Sequence, residues 1–440
     1  MDMQAGAVDA IGHLLALSAL RPGEVPQEAK RTALHSLLDT LVVMRAGLDE
    51  PVAVTVRNMV LAEAGSAAAT LAGTSVRVPP RAAALANGTA AHALDYDDTH
   101  FGHVGHVSVA VLPAAMAAGE ASGRSAEDVM HAFVLGAEAA CRIGRHLGRA
   151  HYVAGFHQTA TSGAFGATVA AGVLLGLSPQ EMRQALSVVS TRASGLKSQF
   201  GTFGKPFHAG LAASNGVEAA ILAASGFVAA DDGYGGPQGF AATHAGEGDE
   251  SAFAVPAGQF LFSDNQYKLH ACCHGTHAMI EALLAAGGTD LARASAIEVR
   301  TNPRWLAVCD IKRPRTALEL KFSYAALAGA VLTGFPTADP AAYTDEAATD
   351  ARVTAIAQTV SVVADDALSD TASAVVVRMQ DGETVRETHD LAAPVSALAL
   401  FKKLAAKAHA VLGAEAEPIL AAVDALPTMS ARDLAAVVAR

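Results

Sequence analysis

Residues 86–108, ANGTAAHALDYDDTHFGHVGHVS, decide how this chain is organised. Between residues 92 and 106 the stretch carries three carboxylates and four histidines, namely Asp95, Asp97, Asp98, His92, His100, His103 and His106. The segments on both sides are rich in alanine and almost uncharged, which is typical of buried helices. Ionisable groups placed between buried helices are costly unless they pair, bind a ligand or transfer protons. The stretch therefore predicts a functional site rather than a solvated acidic loop.

The overall composition favours a large, mainly helical chain. Of 440 residues, 51% are hydrophobic, 17% are charged and only 5% are aromatic. This length exceeds one ordinary hydrophobic core, so at least two domains are expected. Abundant alanine favours close-packed helices over a sheet-rich fold. The low charge also indicates that apolar helix faces are covered by a second subunit, and we expect a homodimer.

Charge and cysteine content exclude several classes of partner and compartment. The net charge is −12 and the chain has no basic run, which argues against nucleic acid as a partner. Four cysteines are too few for a disulfide framework in a chain of this length. The N-terminal residues lack a signal-peptide pattern, and the apolar stretches are too short to span a bilayer. We therefore expect a cytoplasmic protein with no membrane partner.

Apolar residues with helical spacing dominate the chain up to about residue 260. In the second of these segments, Ala33, Leu37 and Leu41 share one face, and Pro26 precedes the start. The predicted helices cover residues 4–21, 27–46, 51–64, 81–94, 109–121, 126–147, 159–175, 179–189 and 209–225. This part of the chain is predicted to be one all-helical domain.

The pattern changes beyond residue 260. Residues 297–301 alternate as a strand does, and residues 374–379 and 383–387 flank Asp381-Gly382 as in a hairpin with a two-residue turn. Helices are predicted at 273–285 and 319–333. The predicted fold is therefore mainly α with a smaller α+β domain. Its domains are a helical domain at 1–264, an α+β lid domain at 265–395, and C-terminal helices at 396–440 that pack back on the helical domain.

Two further segments carry polar groups into predicted helices. His157 precedes a helix for which Thr159 or Thr161 is the predicted N-cap, and such helix ends bind anions. Residues 195–210, GLKSQFGTFGKPFHAG, place Lys197 and Lys205 among glycines before a helix predicted from Ala209. Their spacing is not that of a Walker motif, so a carboxylate site is the simpler interpretation.

Residues 267–277, YKLHACCHGTH, form the third polar segment. Its histidines, His270, His274 and His277, are predicted to share one helix face, with Cys273 as an alternative to His274, so zinc has to be considered. Against zinc, the chain has no CxxC motif and no second ligand pair. Lys268, just before the helix, is better explained as a cationic or proton-transferring group. No metal is predicted.

Together these segments supply histidines, lysines and an aspartate, without a nucleotide fingerprint or a nucleophile elbow. Such a set suits removal of a proton next to a carboxylate without a cofactor. Cationic groups hold the carboxylates and stabilise the enediolate, and a neutral histidine takes or returns the proton near pH 7. Elimination, decarboxylation and epimerisation share this first step.

The same segments resemble the MmgE/PrpD family, whose members include 2-methylcitrate dehydratase, cis-aconitate decarboxylase and iminodisuccinate epimerase. The matching stretches are residues 87–100, 155–161, 201–216, the Lys268 segment and 321–323, in family order. The resemblance implies a helical domain built from both chain ends, a smaller lid domain and a homodimer. It also implies an active site at the domain junction that uses no cofactor or metal.

Carried over to this sequence, the family's site positions are Asp95, Thr99, His106, His157, Lys205 and Lys268. On chemical grounds His106 or His157 is the proton-transferring base, and the two lysines hold carboxylates. Other polar residues of these segments are predicted to bind substrate together with Thr99: they are His100, His103, Lys197, His274 and His277.

Two departures from the family pattern bear on the reaction. Val107 stands where the family usually has proline, and Ala326 stands where decarboxylase-type members have a tyrosine. Tyr324 lies two residues away and occupies a different helix face. Val107 predicts a different path for the loop that holds His106. The missing tyrosine favours a 2-methylcitrate dehydratase-like lyase, or an epimerase of the iminodisuccinate type, over a decarboxylase. The third hypothesis is a metabolite-binding protein with a decayed site.

Overall fold

A computed structural model describes residues 9–63, 65–256 and 258–439. The chain divides into two compact units. The first unit contains the residues up to Tyr267 together with those from Leu412 onward, and the second unit runs from Lys268 to Val411. The first unit is mainly helical and the second contains a mixed sheet with helices, so the predicted fold class is confirmed.

Helices account for most of the regular structure. In chain order they are α1 (Ala10–Ser18), α2 (Gln27–Ala46), α3 (Pro51–Ala62), α4 (Pro80–His92), α5 (Ser108–Ala121), α6 (Ala126–Val153), α7 (Gln158–Leu175), α8 (Pro179–Val189), α9 (Gly204–Ala224), α10 (Phe240–Thr243), α11 (His277–Ala285), α12 (Pro303–Cys309), α13 (Ala317–Leu320), α14 (Tyr324–Leu332), α15 (Asp345–Ala348), α16 (Ala351–Ala357), α17 (Ala397–Leu412), α18 (Glu417–Ala425) and α19 (Ala431–Ala436). Helix α6 is interrupted at Gly148, where φ is 66°. Among the residues that the structure describes, no helix combines the length and apolar character needed to cross a membrane.

Most of the predicted helices of the first unit are confirmed, and two of them, α2 and α8, match in both bounds. Residues 4–8 of the first predicted helix lie outside the described residues. The prediction for α9 was wrong at its start, because this helix begins at Gly204 rather than Ala209. Proline is tolerated in the first turn of a helix, so Pro206 does not end the segment.

Small residues let the central helices of the first unit approach closely. A Cβ atom added to Gly88 of α4 would lie 2.9 Å from the Cα atom of Gly210 of α9. A Cβ atom added to Gly136 of α6 would lie 2.5 Å from the carbonyl oxygen of Gly166 of α7. These contacts explain the alanine- and glycine-rich composition, because larger side chains would separate the helices that carry the polar groups.

The first unit also contains a short antiparallel pair of strands, β1 (Ala69–Thr70) and β2 (Arg77–Val78), which the sequence did not indicate. The buried carboxylate of Glu120 on α5 holds this pair, because it accepts hydrogen bonds from the Thr70 amide and the Arg77 guanidinium. Two-residue strands lack the alternation that a sequence pattern needs.

The second unit has a four-stranded sheet in the order β4-β3-β5-β6. Its strands are β3 (Ala294–Thr301), β4 (Val360–Ala364), β5 (Ala372–Met379) and β6 (Thr384–Asp390). Strands β5 and β6 form the predicted antiparallel hairpin, and β3 is the predicted strand. Strand β4, which pairs parallel to β3, was not predicted.

The last helices belong to different units. Helix α19 packs against α5 and α6 within the first unit, and α18 packs against α2. Helix α17 falls almost entirely in the second unit, although the sequence grouped it with the C-terminal helices from residue 396. An ion pair of 3.2 Å between Lys403 Nζ on α17 and Glu281 Oε2 on α11 connects it to that unit.

Candidate active site

Asp97 lies between two imidazole rings at the end of α4. His92 Nδ1 donates a hydrogen bond of 2.8 Å to Asp97 Oδ1, and His106 Nδ1 lies 2.9 Å from Asp97 Oδ2. All three side chains are buried. Burial by itself raises the pKa of Asp97, but the charges and hydrogen bonds of His106 and His92 outweigh it and hold this pKa well below its usual range. Asp97 is therefore a buried, ionised carboxylate.

His106 has a carboxylate near each ring nitrogen. Its Nδ1–H donates a 2.7 Å hydrogen bond to the Asp98 carbonyl oxygen, beside Asp97 Oδ2. Its Nε2 atom lies 3.4 Å from Asp95 Oδ1. The His106 backbone amide donates a 3.0 Å hydrogen bond to Thr159 Oγ1 on α7. The loop after α4 is thus attached to the start of α7.

Asp95 connects His106 with Lys205. Its second oxygen, Oδ2, lies 2.6 Å from Lys205 Nζ in the first turn of α9. The backbone of Asp95 has a φ of 50°, in the left-handed region that aspartate tolerates better than most residues. The Asp95 side chain is 39% exposed, whereas that of Lys205 is 17% exposed. This ion pair is therefore the solvent-facing end of the network that begins at Asp97.

The Asp98 side chain is hydrogen-bonded to groups that hold the loop after α4 in place, rather than to the network of Asp97, His106 and Asp95. Its carboxyl group contacts the Ser108 hydroxyl and amide, the Asn265 side chain at 2.7 Å and the Ser36 hydroxyl at 3.1 Å. Burial raises the pKa of Asp98, hydrogen bonds from Ser108 and Asn265 oppose this, and the charge of Asp97 adds to it. Asp98 thus joins α2, α5 and the residues before Tyr267.

His157 is the N-cap residue of α7 and is buried. The prediction that Thr159 or Thr161 caps this helix was wrong, because both lie inside α7. Burial, followed by the charges of His92 and Lys205, lowers the pKa of His157 well below its usual range. His157 is therefore neutral near pH 7.

The ring of His157 contacts a histidine that was not among the predicted site residues. His157 Nδ1 lies 3.1 Å from His208 Nδ1, and the ring of Phe200 packs edge-on against His157 with centroids 4.9 Å apart. His208 follows Lys205 by three residues on α9. Burial lowers the pKa of His208 to about 4, with a further contribution from His92. We call His92, His106, His157 and His208 the first histidine cluster.

Four side chains of this site are close enough together to share a cation. Ligand atoms of His92, Asp95, Asp97 and His106 all lie within 4.8 Å of one another, which is the one such group among the described residues. Protein groups already contact these carboxylates. The Lys205 ammonium lies against Asp95 and His92 Nδ1–H donates to Asp97 Oδ1, whereas Asp97 Oδ2 is buried without a hydrogen bond, 2.9 Å from the His106 Nδ1 atom. The donor set accordingly suits protons as well as a cation.

Several predicted substrate-binding residues are engaged elsewhere in the first unit. Lys197 Nζ donates a 3.0 Å hydrogen bond to the Tyr152 carbonyl oxygen and lies 3.7 Å from the centre of the Tyr152 ring. Burial lowers the pKa of Lys197. The Thr99 backbone pairs with Gln266 through two 2.8 Å hydrogen bonds. Lys197 and Thr99 therefore have structural contacts besides their predicted roles.

His100 and His103 stabilise the loop after α4. His100 Nδ1 accepts a hydrogen bond from the His103 amide, and its Nε2 lies 2.7 Å from the Leu261 carbonyl oxygen. His103 Nε2 lies 2.7 Å from the Ser162 hydroxyl oxygen, and its Nδ1 is fully buried. Burial lowers the pKa of His103 to about 3. The ring nitrogens are thus either engaged or enclosed, and the predicted role of both residues in binding substrate stays a prediction.

The second unit contains a separate group of histidines, His270, His274 and His277, which we call the second histidine cluster. The ring of His277 lies 4.9 Å from that of His270 and 4.7 Å from that of His274, between centroids. The predicted common helix face was wrong, because α11 begins at His277 and residues 274–276 form a 3-10 turn. Lys268 is buried in this unit and its charge contributes to the lowered pKa of His277, which is due mainly to burial.

The sequence interpretation left three members of the first unit's site unassigned: His92, Asp97 and His208. His92 and Asp97 stood within the acidic stretch, but nothing in their spacing distinguished them from Asp98 or His100. His208 had a usable signal. A helix that starts before Pro206 places residues 205 and 208 on one face, and proline is accepted in the first turn of a helix.

Comparison with protein families identifies two domains in the chain. The MmgE/PrpD N-terminal domain matches residues 16–251, and the MmgE/PrpD C-terminal domain matches residues 270–427. The interval between the two matches contains the boundary between the structural units at Tyr267 and Lys268.

Three curated relatives are similar to parts of the chain. The cis-aconitate decarboxylase-like protein oryM of Aspergillus oryzae is 30% identical over 285 residues, which cover 61% of this chain and 59% of that protein. The cis-aconitate decarboxylase of Aspergillus terreus is 30% identical over 281 residues, 60% of this chain and 57% of that protein. The cis-aconitate decarboxylase of Homo sapiens is 38% identical over 156 residues, 34% of this chain and 32% of that protein. The chain thus spans less than two thirds of the length of these relatives.

Proposed function

The chain belongs to the MmgE/PrpD family, and on that premise we propose that it is a cofactor-independent lyase for a small di- or tricarboxylate. The reaction begins with transfer of a proton next to a substrate carboxylate. One observation carries this proposal: two buried histidines of the first unit, His157 and His106, have opposite electrostatic surroundings. Pairs of titratable groups whose surroundings favour opposite charge states are the usual basis of acid–base assignment.

His157 is the general base in this proposal. It is buried, and the groups around its ring are cations or other imidazoles: Lys205, His92, His106 and His208. These surroundings disfavour a second positive charge, so the ring stays neutral and keeps a lone pair at neutral pH. A neutral imidazole among cations also lies where an anionic substrate is attracted.

His106 is the general acid. Asp97 lies near one ring nitrogen and Asp95 near the other, an arrangement that stabilises an imidazolium. Lys205 is the carboxylate clamp. Its ammonium pairs with Asp95 while no substrate is bound, and a substrate carboxylate can take the same contact. Asp95 thereby holds both the acid and the clamp in place.

In a dehydration, these groups complete one balanced cycle. The C–H bond next to the carboxylate breaks, its proton forms an N–H bond with His157, and the electron pair forms an enediolate facing Lys205. The electron pair then forms the C=C bond as the C–O bond breaks, and His106 donates its proton to the leaving hydroxyl group. Water is released, and the two histidines exchange protons with solvent before the next cycle.

Decarboxylation is the second candidate, because the curated relatives are named cis-aconitate decarboxylases or decarboxylase-like proteins. The sequence argument against it was the absence of a tyrosine at Ala326. Tyr324 does not substitute, since its hydroxyl donates a 2.6 Å hydrogen bond to the Gly275 carbonyl oxygen inside the second unit. Decarboxylation would require the acid, His106, to protonate carbon after carbon dioxide leaves. Epimerisation and a decayed binding site are the remaining alternatives.

The test combines exchange of substrate hydrogen with product analysis. With a panel of citrate-like substrates in deuterium oxide, wild-type protein should release water and exchange the hydrogen next to the carboxylate. We expect His157→Gln to reduce exchange by about 100-fold or more and His106→Gln to retain exchange but lose product formation. His131→Asn, on α6 outside the site, is the matched control.

The outcomes separate the candidates. Carbon dioxide release identifies a decarboxylase, and a change of configuration without loss of water or carbon dioxide identifies an epimerase. Binding of tricarboxylates without turnover would identify a binding protein. Exchange that persists unchanged in both His157→Gln and His106→Gln would refute the acid–base assignment.

The proposal includes independence from metals. Lys205 supplies a positive charge beside Asp95, and His92 Nδ1–H donates a hydrogen bond to Asp97. Activity should therefore survive dialysis against a chelator, and the active protein should contain less than one equivalent of transition metal. Loss of activity on chelation, restored by one divalent metal, would assign His92, Asp95, Asp97 and His106 to a cation instead.

We also propose that the protein is a homodimer. Its low content of charged residues is accompanied by exposed apolar side chains in the first unit, including Phe203, Phe227 and Val228. Light scattering on the purified protein should give twice the mass of 44.7 kDa. A mass of one chain across the accessible concentration range would contradict this proposal.

The predicted roles of Lys268, His274 and His277 as carboxylate ligands stay predictions. Lys268→Met tests them, because loss of a buried cation that binds substrate raises KM more than it lowers kcat.

A further inference from the structure

His157 and His208 share one hydrogen bond between like atoms. Their Nδ1 atoms are 3.1 Å apart and their ring centroids are 5.3 Å apart. A hydrogen bond between two imidazole nitrogens requires a proton on one nitrogen and a lone pair on the other. The tautomer of each ring therefore determines the tautomer of its partner.

Both rings are held by the same turn of chain. The His157 amide donates a 2.9 Å hydrogen bond to the carbonyl oxygen of Gly195. The Cα side of Gly195 faces the other ring, since a Cβ atom added there would lie 3.3 Å from His208 Cγ. The same Cβ atom would lie 2.5 Å from the Cβ atom of Ala160 on α7, so glycine permits this close approach. The contact between the rings is thus built by the backbone on one side and by α9 on the other.

The surroundings keep this pair uncharged in the absence of substrate. The charged and titratable groups that face it are His92 from α4, His106 from the following loop, and Lys205 from α9. Each favours the neutral form of the two rings when it carries a positive charge. The pair therefore holds a single proton between its Nδ1 atoms.

We propose that His208 is a positioning residue that accepts the Nδ1–H of His157 and so leaves the Nε2 lone pair of His157 available as the base. This inference rests on the proposed function, because it says how the proposed base is prepared. When the substrate C–H bond breaks, its proton binds Nε2 of His157 and its electron pair stays on the enediolate. The Nδ1 proton remains in the hydrogen bond to His208, which spreads the new positive charge over two rings.

The test compares two substitutions of His208 with a histidine control. Asparagine places an acceptor oxygen close to the position of Nδ1 but cannot take up a proton, whereas alanine removes the acceptor. We expect His208→Ala to lower kcat about 100-fold with KM changed less than about threefold. The kcat of His208→Asn should be about tenfold or more above that of His208→Ala. His131→Asn should behave as wild type.

Two readouts separate positioning from a merely structural role. In protein with 15N-labelled histidine, His157 should be an Nδ1–H tautomer in the wild type and in His208→Asn, and a mixture of tautomers in His208→Ala. The acidic limb of the pH profile of kcat/KM should move to lower pH in His208→Ala, because the imidazolium form of His157 has lost its hydrogen-bond acceptor. Melting temperatures identify variants that are simply destabilised. If a variant is destabilised, the tautomer of His157 in the wild-type protein is the measurement that tests the inference.

The results distinguish this inference from the proposed function. If His157→Gln abolishes exchange while both His208 variants act as wild type, the assignment of His157 as the base is retained and the role of His208 is refuted. An Nε2–H tautomer of His157 in the wild type, or no recovery in a folded His208→Asn, also refutes it. If His157→Gln retains full exchange, the proposed function itself fails.

Discussion

The two histidine clusters of this protein have similar compositions and different surroundings. The first cluster (His92, His106, His157 and His208) contains the ionised carboxylate of Asp97 and lies beside the Asp95–Lys205 ion pair. The second cluster (His270, His274 and His277) meets a carboxylate at one edge, where His270 Nε2 lies 3.4 Å from Glu281 Oε1. A further charged neighbour, Lys268, is a cation.

This difference shows that the neighbouring carboxylates, rather than the histidines themselves, distinguish the two clusters chemically. In the first cluster they lie beside both ring nitrogens of His106, the general acid of the proposed mechanism, while burial and nearby cations keep His157 neutral. In the second cluster the close approach of His270 lowers the pKa of Glu281 to about 2, and burial keeps His277 neutral. A neutral His277 beside the buried cation Lys268 suits holding an anion. Moving a proton requires two groups with opposite charge preferences.

The largest expected effect comes from removing the central carboxylate of the first cluster. Asp97→Asn should lower kcat about 100-fold or more, because His106 loses a charge that favours its protonated form. It should also lower the free energy of unfolding by about 3 kcal/mol, since breaking a buried ion pair leaves the partner uncompensated. Initial rates and urea unfolding measure the two effects. Glu281→Gln is the counterpart in the second cluster, and an equal loss of kcat there would remove the distinction between the clusters.

The next effect concerns the clamp beside the first cluster. Lys205→Met should raise KM for a polycarboxylate by about tenfold or more, because a charge-assisted contact contributes about 1.5–3 kcal/mol. Steady-state kinetics measure KM and kcat separately, with the exposed Lys402→Met as the control. A loss confined to kcat would show that Lys205 acts on the enediolate alone and does not bind the ground state.

Acid should reduce stability through the buried neutral histidines. The pKa of His103 is about 3 in the folded state and about 6.5 when unfolded, so the unfolded state binds more protons between these values. Its contribution is complete above pH 6.5 and is lost as the pH falls toward 3, at up to about 1.4 kcal/mol per pH unit.

His103→Gln can keep the hydrogen bond to Ser162 but cannot titrate. Urea unfolding at pH 7, 6 and 5 should therefore give a shallower loss of stability for this variant than for wild type. The exposed His409→Gln serves as the control. Identical pH slopes for wild type and His103→Gln would mean that His103 is not a neutral buried ring in the folded protein.

The smallest expected effect concerns strain in the loop that holds His106. Val104 has a φ of 59°, which is a rare conformation for a β-branched residue. Relief of this strain, of order 1–3 kcal/mol, exceeds the entropy cost of glycine, of order 0.5–1 kcal/mol. Val104→Gly should therefore raise the free energy of unfolding by about 1 kcal/mol. Lower stability in urea unfolding would show that the packing of the Val104 side chain outweighs the strain.

Local patterns predicted the helical elements well because helices depend on neighbours in sequence. Apolar periodicity placed α2 and α8, and the Asp-Gly turn placed the hairpin of β5 and β6. Errors occurred where local signals were short or misleading. Strand β4 is five residues long, and the segment with Pro206 was predicted to be a loop although a first helical turn accepts proline.

The composition of the candidate site was predictable from the sequence, but its arrangement was not. The stretch from 86 to 108 indicated a polar site, and Asp95, His106, His157 and Lys205 are all connected within the first unit. The same stretch contains His100 and His103, whose hydrogen bonds stabilise the loop after α4. Spacing along the chain does not separate such residues, since each lies within a few positions of the others and only the path of the backbone decides their directions.

What the sequence by itself determined was the inventory: buried helices, interrupted by a few segments rich in histidine, lysine and aspartate. The tertiary structure alone decided which of these groups share protons and which carry charge. A contact such as His157 with His208 spans 51 residues, and that of His106 with Thr159 spans 53. Charge states follow from burial and from partners brought together by folding, and both are absent from a linear pattern.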